Sequence, residues 1–237
     1  MNAAIIVAGG EGERFGDPRG KQLAPVAGLS VLAHAVRAFQ RCESVDAIVV
    51  VTHPDRLEAY RAEAIGPAGA GKVVAVVPGG ATRMASVASG LAALPDGCVA
   101  VAVHDGARAA VTPDTVAASF AFLLSDPLLD GVVVGHPAFD TIKETAEDGR
   151  VISTPDRSRL WVAQTPQTFR LEALLHAHES AASEGFTGTD DAALVERCGG
   201  VVAMLEGPRW NLKVTVPEDL VVLSALLAER GEAADGV

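Results

Sequence analysis

Four glycines fall within eight residues near the start of the chain, in the stretch VAGGEGERFG, and Pro18, Arg19 and Lys21 follow closely. Glycine lets the main chain approach a ligand and turn N–H groups toward phosphate oxygens. Gly9, Gly10 and Gly12 have that freedom, and Arg14 and Lys21 add positive charge. The spacing fits neither familiar phosphate loop. A G-x-G-x-x-G read from Gly10 meets Phe15 where its last glycine is due, and a G-x-x-x-x-G-K-[ST] ending at Gly20-Lys21 meets Phe15 and Gln22. A triphosphate suits this loop; a glycine-rich turn with two solvated cations is the plain alternative.

Three further clusters carry compatible chemistry. PGGATRMASV pairs Gly79 and Gly80 with Arg83 and Ser86, placed to enter the first turns of a helix and to hold a base or ribose. VHDGAR puts Asp105 three residues before Arg108. A carboxylate there can bind a sugar hydroxyl or help hold a divalent cation, whereas His104 reads equally as a packed structural histidine. NLKVTVPEDL sets Lys213 ahead of a proline-started helix, where a lone lysine would ordinarily be solvated. No Ser-His-Asp or Cys-His arrangement offers a covalent nucleophile, and no carboxylate pair suggests glycoside hydrolysis. Cations and glycines suit phosphoryl or nucleotidyl transfer, in which the substrate brings the nucleophile and the protein supplies alignment and charge.

Composition narrows the setting. The 237 residues fit one large α/β domain or a domain with an appendage, and 49% of them are apolar, enough for a sizeable core. Nineteen basic against thirty acidic residues leave a net charge of −11, which speaks against nucleic acid or an anionic membrane as partner. Any anionic ligand must meet a local cluster. Cys42, Cys98 and Cys198 show neither a C-x-x-C nor a zinc-type spacing and read as reduced thiols. Glu11, Glu13 and Asp17 spoil a signal peptide, and no apolar run approaches the roughly 18 residues of a membrane span. A soluble cytoplasmic protein is expected.

The elements that must position these groups alternate. Runs rich in Val, Ile and Ala at 4–8, 47–52, 73–77, 98–103, 131–135 and 201–205 read as strands covered on both faces. Amphipathic stretches at 30–42, 55–65, 82–94, 113–125, 171–184 and 190–198 read as helices, with Ser30 and Thr112 as N-caps and Pro113 at a first helical position. The pattern predicts a doubly wound, mainly parallel α/β sheet, whose ligands bind beyond the strands' carboxyl ends. One segment, 136–169, breaks the rhythm: partial alternation around Asp148-Gly149 predicts a β-hairpin arm, long enough to cap a site or grip a partner.

In order along the chain, AGGEGERFG, GKQ, PGGATRMASV, VHDGARA, DTIK, PDRSRLWVAQTPQ, TDDAALVE and NLKVTVPEDL closely resemble the 2-C-methyl-D-erythritol 4-phosphate cytidylyltransferases. The resemblance runs from Ala3 to about Leu220 and implies a single domain over 1–237, a Rossmann-like, GT-A-like nucleotidyltransferase fold. It implies transfer of CMP from CTP to methylerythritol phosphate with release of pyrophosphate, Mg2+ riding on the triphosphate. By position, Arg14 and Lys21 would stabilise charge on the α-phosphate and leaving group, and Arg157 and Lys213 would grip the attacking phosphate. Ala8, Gly9, Gly10, Gly12, Gly80, Arg83 and Ser86 would take the nucleotide. Asp105, Arg108, Thr141 and Thr165 would line the alcohol side, with Asp105 also a candidate metal ligand. The arm would pair two chains into a homodimer, Thr141 and Arg157 then acting in trans.

The chain departs from the commoner family pattern at Ala85, Gly106, Ala109 and in VAGG for PAAG, which bears on cytosine and ribose recognition. A ribitol-5-phosphate cytidylyltransferase shares the cation set, a sugar-1-phosphate nucleotidyltransferase shares VAGG, and a non-catalytic nucleotide-binding dimer would keep the glycines and arm. These are the rival readings.

Overall fold

A computed structural model describes residues 1–10, 15–16 and 19–231. The chain opens with strand β1 (Asn2–Val7), crosses a small ribbon of β2 (Pro25–Val26) and β3 (Leu29–Ser30), and enters α1 (Val31–Arg41). Ser30 caps that helix as expected, its hydroxyl accepting the Ala33 N–H. Next come β4 (Ala47–Thr52), α2 (Leu57–Tyr60), β5 (Val73–Pro78), α3 (Arg83–Ala92), β6 (Ala100–Asp105) and α4 (Pro113–Ser125). Thr112 caps α4 with Pro113 beside it. The chain then forms β7 (Gly131–Pro137), a short hairpin of β8 (Glu144–Thr145) and β9 (Val151–Ser153), and β10 (Trp161–Arg170). It closes with α5 (Leu171–Glu184), α6 (Asp191–Arg197), β11 (Val202–Glu206) and α7 (Asp219–Glu229).

Seven strands form the main sheet in the order β11-β7-β10-β6-β1-β4-β5. All neighbours pair in parallel except β10, which runs antiparallel to both β6 and β7. The sheet is therefore mainly parallel and wound on both faces. Alternate residues of β1 serve opposite layers: Ala4 and Ile6 pack with Leu32, Phe39, Tyr60 and Phe120, while Ile5 packs with Val87, Leu91, Val103 and Leu174. A third cluster joins Phe15, Val26 and Val31 to Val214, Leu223 and Leu227, docking α7 beside the ribbon.

Two expectations change. The helix expected over 55–65 is broken into a 3-10 turn at Pro54–Arg56, a single α turn and a π-helical turn at Arg61–Ile65. The arm expected over 136–169 is narrower. Trp161 pairs with Pro137 and Phe169 with Gly131, so both flanks belong to the main sheet and only 138–160 stands off it. The β10 sequence WVAQTPQTFR hides its place because its buried stretch is mostly polar. Gln164, Thr165, Gln167 and Thr168 are all buried and each is hydrogen-bonded, Thr168 to Ser119 at 2.8 Å. The ladder to β7 shifts register between Ala163 and Gln167, the stretch holding Pro166, which has no N–H to give.

Candidate active site

The parallel strands β1, β4, β5 and β6 end at one edge of the sheet, and a cavity of about 460 Å³ opens there. Gly9 and Gly10 line it from the turn after β1, Gly79 and Gly80 from the turn after β5, Asp105 from the last position of β6, and Lys21 and Lys213 from two loops. The backbones approach closely. A Cβ on Gly80 would lie 2.5 Å from that of Ala85, and one on Gly79 2.8 Å from Ser86 Oγ. At Gly10 the reason differs, because a Cβ there would meet no described atom within 4 Å.

Hydrogen bonds fix the walls. Thr82 caps α3 through the Ala85 N–H, placing Arg83 in the first turn, where it faces the cavity. Ser86 Oγ donates to Thr82 O at 2.9 Å and accepts the Gly80 N–H at 3.2 Å, so this hydroxyl holds the Gly79-Gly80 turn in shape. Gln22 donates to Gly10 O at 3.2 Å and ties the Lys21 segment to the first turn. On the far side, the Val214 N–H donates to Ala107 O, and the Asp219 carboxylate accepts from Thr215 N–H and hydroxyl and from Val216 N–H. That clasp holds Lys213 opposite Asp105.

Asp105 is the electrostatic hub. Its Oδ1 lies 3.2 Å from Arg83 Nε, and its Oδ2 lies 2.7 Å from Lys213 Nζ and 3.9 Å from Arg108 Nε. Burial opposes ionisation of this carboxyl, but Arg83 first, then Lys213 and Arg108, override it and hold it well below the usual carboxylate range. Arg83 also donates from Nη1 to Asp191 Oδ2 at 2.6 Å. Burial works against its charge, and the two carboxylates reverse that and push its pKa up. Arg108 donates to Asn211 O at 2.8 Å, and burial lowers its pKa.

His104 is structural. It is fully buried, its ring 4.9 Å from that of Phe39, and desolvation pushes its pKa down to about 3. A neutral ring has one donor. Nε2 faces Arg108 O at 3.2 Å, so it carries the hydrogen, and Nδ1 accepts from the Thr165 hydroxyl at 2.9 Å. Thr165 Oγ1 in turn accepts the Asp105 N–H at 3.1 Å.

Of the residues expected at the site, Gly9, Gly10, Lys21, Gly80, Arg83, Ser86, Asp105 and Lys213 line one cavity. Ala8, Arg108 and Thr165 stand behind its wall. The N–H of Ala8 is bonded to Val51 O at 2.7 Å, and the described cavity lining starts at Gly9 in this turn. Thr141 and Arg157 are exposed on the arm, with Arg157 Nη1 bonded to Phe139 O, and neither lines the cavity of its own chain. Gly12 and Arg14 lie outside the described residues. Gly106 sits where a Cβ would meet Leu32 Cδ1 at 2.8 Å and Ala8 Cβ at 3.2 Å. Asp191, Gln167, Asn211 and Asp219 join the site without being predicted individually by the sequence. Asp219 has a local signal in its place two residues after Pro217, and Asp191, Gln167 and Asn211 lie within the motifs TDDAALVE, PDRSRLWVAQTPQ and NLKVTVPEDL with no local signal of a role.

Among the described residues, no group of three or more His, Cys, Asp or Glu side chains is placed to hold a metal ion. Asp105, the candidate ligand, has both oxygens engaged by cations. These residues do not fit a resident metal site. No described helix is long and apolar enough to cross a membrane.

Glycine turns for phosphate, clustered cations and a strand-end cavity in a doubly wound sheet define a nucleotidyltransferase. The chain matches the family model described as 2-C-methyl-D-erythritol 4-phosphate cytidylyltransferase over residues 2–229, and it belongs to that family. A protein of that name from Caldanaerobacter subterraneus subsp. tengcongensis is 39% identical over 225 residues, covering 95% of this chain and 98% of that one. The bifunctional enzyme IspD/IspF of Nitratidesulfovibrio vulgaris (strain DP4) is 45% identical over 228 residues, 93% of this chain and 57% of the longer one. Among solved structures, the 4-diphosphocytidyl-2C-methyl-D-erythritol synthase of Anaerococcus prevotii superposes with a TM-score of 0.83 at 27% identity over 96% of both chains.

Proposed function

We propose that this chain transfers CMP from CTP to 2-C-methyl-D-erythritol 4-phosphate, forming the CDP-alcohol and releasing pyrophosphate. The observation that carries the reading is the convergence of Lys21, Arg83 and Lys213 on one cavity floored by two glycine turns. A phosphate oxygen of the alcohol attacks the α-phosphorus in line, the new P–O bond forms, and the bond to pyrophosphate breaks with the electron pair leaving on its oxygen. Two anions must meet, so the protein's work is alignment and charge. Lys213 and Arg157 hold the attacking phosphate; Arg14 and Lys21 stabilise charge growing on the α-phosphate and the leaving group. Gly9, Gly10 and Gly12, with Gly80, Arg83 and Ser86, seat the nucleotide. Asp105, Arg108, Thr141 and Thr165 shape the alcohol side. Magnesium enters with the triphosphate as part of the substrate.

The chain works as a homodimer in the cytoplasm. Phe139, Ile142, Val151 and Ile152 are exposed on the arm, and Trp161 and Val162 at its root, an apolar surface suited to a second copy. Thr141 and Arg157 then reach the partner's cavity. Incubation with CTP, Mg2+ and either methylerythritol phosphate or ribitol 5-phosphate, with pyrophosphate measured, tests the reading. Release with methylerythritol phosphate is expected; release only with ribitol phosphate, or with neither, overturns it.

A further inference from the structure

The motif TDDAALVE has no part in the reaction as described, yet its second aspartate is fully buried and reaches the cavity wall. Asp191 Oδ2 accepts from Arg83 Nη1 at 2.6 Å, and its Oδ1 lies 3.1 Å from His178 Nε2. A carboxylate only accepts, so His178 Nε2 carries the hydrogen. The main chain beneath it is anchored too. Gln167 Oε1 accepts the N–H groups of both Asp191 and Ala192 at 3.2 Å, while Gln167 Nε2 donates to Asp190 at 2.7 Å. Asp191 therefore stands on β10, the antiparallel strand, and is steadied from α5 by His178.

Arg83 is thus held between two carboxylates on opposite sides of its guanidinium, Asp105 at Nε and Asp191 at Nη1. That leaves Nη2 to meet a ligand. Without Asp191 the guanidinium would be free to turn both Nε and a terminal nitrogen onto Asp105, in the side-on geometry that arginine and carboxylate favour.

We propose that Asp191 is a positioning residue for the nucleotide: it fixes the Arg83 guanidinium so that Nη2 faces the bound CTP. The inference rests on the cytidylyltransferase reading. Its signature is loss of CTP affinity without a matching loss for the alcohol. In Asp191→Asn, the dissociation constant for CTP measured by calorimetry and the KM for CTP should both rise about tenfold, as coupled neighbours in contact typically do. The KM for methylerythritol phosphate should stay within about twofold. Arg83→Lys, which keeps the charge but lacks the planar fork that directs separate nitrogens to Asp105, Asp191 and a ligand, should show the same loss, and the double variant should be no weaker than either single one. A merely structural Asp191 would instead lower the melting temperature, affect both substrates, and add its effect to that of Arg83→Lys. CTP affinity unchanged in Asp191→Asn, or in Arg83→Lys if the first variant does not fold, overturns the positioning role alone. Failure of the unaltered protein to bind CTP or release pyrophosphate overturns the cytidylyltransferase reading and the inference with it.

Discussion

Lys213 Nζ lies 2.7 Å from Asp105 Oδ2, so the cation assigned to the incoming phosphate is already neutralised and aimed by a carboxylate at the end of β6. The lysine side chain is 40% exposed and the aspartate 12%, so the pair sits at the rim of the cavity with its acidic half inside. Asp105 also serves Arg83 and Arg108. Removing it leaves cations in low dielectric without their counter-charge, the costly way to break such a cluster.

Asp105→Asn should therefore lower stability by about 3 kcal/mol, measured by urea denaturation at pH 7. Because the folded pKa lies below the unfolded one, near 4, the native carboxylate's stabilisation is fully present above that pH and is lost as pH falls below it. The variant should lose less stability than the parent on going from pH 5 to pH 3. An equal loss in both would show that the cluster does not depend on this charge.

Lys21 faces the same cavity from a 3-10 turn at Lys21–Leu23, held by the bond from Gln22 to Gly10 O. In the proposed reaction its amine meets charge that grows only during transfer. Lys21→Ala should lower kcat by at least about a hundredfold while changing the melting temperature little, since groups that stabilise a transition state carry effects of that size. A kcat within a few fold of the parent, measured as pyrophosphate release at saturating substrates, would reject that role.

His104 makes a prediction of the opposite kind, about pH and not rate. Its pKa falls from an ordinary value near 6.5 to about 3 in the fold, so the unfolded chain takes up a proton between those pH values and the native protein does not. Stability must rise with pH across that window, by at most about 1.4 kcal/mol per pH unit from this group. His104→Gln, which keeps a donor toward Arg108 O, should flatten the slope of unfolding free energy between pH 4 and 6. An unaltered slope would mean that the ring protonates inside the fold.

Much of this fold can be read directly from residue types. The strands β1, β4, β6 and β7 are apolar runs because both faces are covered, the edge strands β5 and β11 are apolar runs only partly covered, and the caps Ser30 and Thr112 mark their helices. The central antiparallel strand could not be read that way. Its polar residues find partners far off in sequence: Gln164 with Asn211, Thr165 with His104 and Gln167 with Asp190. The site divides along the same line. Glycine turns and scarce lysines announce themselves locally, but Asp191 is 108 residues from Arg83, and no spacing rule connects them. What sequence pattern reveals is chemistry carried by neighbours along the chain; what it hides is polarity satisfied across it.

That hidden polarity should be costly to remove. Ser119 Oγ donates to Val116 O at 2.7 Å, so in its 2.8 Å contact with Thr168 the threonine is the donor, and both residues are fully buried. Thr168→Val keeps the shape and deletes that donor. It should cost about 1 kcal/mol in urea unfolding, the net worth of one buried hydrogen bond. No loss would show that the hydroxyl pair contributes nothing beyond packing.

Arg157 and Thr141 pose the last question, because both stand on the arm and neither lines the cavity of its own chain, whereas Lys213 does. If the arm reaches a twin chain, one active site takes Lys213 from one protomer and Arg157 from the other. Arg157→Ala and Lys213→Ala should each be nearly inactive alone. Unfolded together and refolded as an equal mixture, half of the dimers pair unlike chains, and one of the two sites in each such dimer has both native residues. Activity should then return to about a quarter of the parent's, as two-fold symmetry requires. Recovery depends on exchange between chains, so the same mixture combined without refolding serves as the control, and its activity should rise only as fast as subunits exchange. If the refolded mixture stays as inactive as its components, while size-exclusion chromatography shows dimers, Arg157 serves its own chain and the arm must fold back onto the cavity beside it.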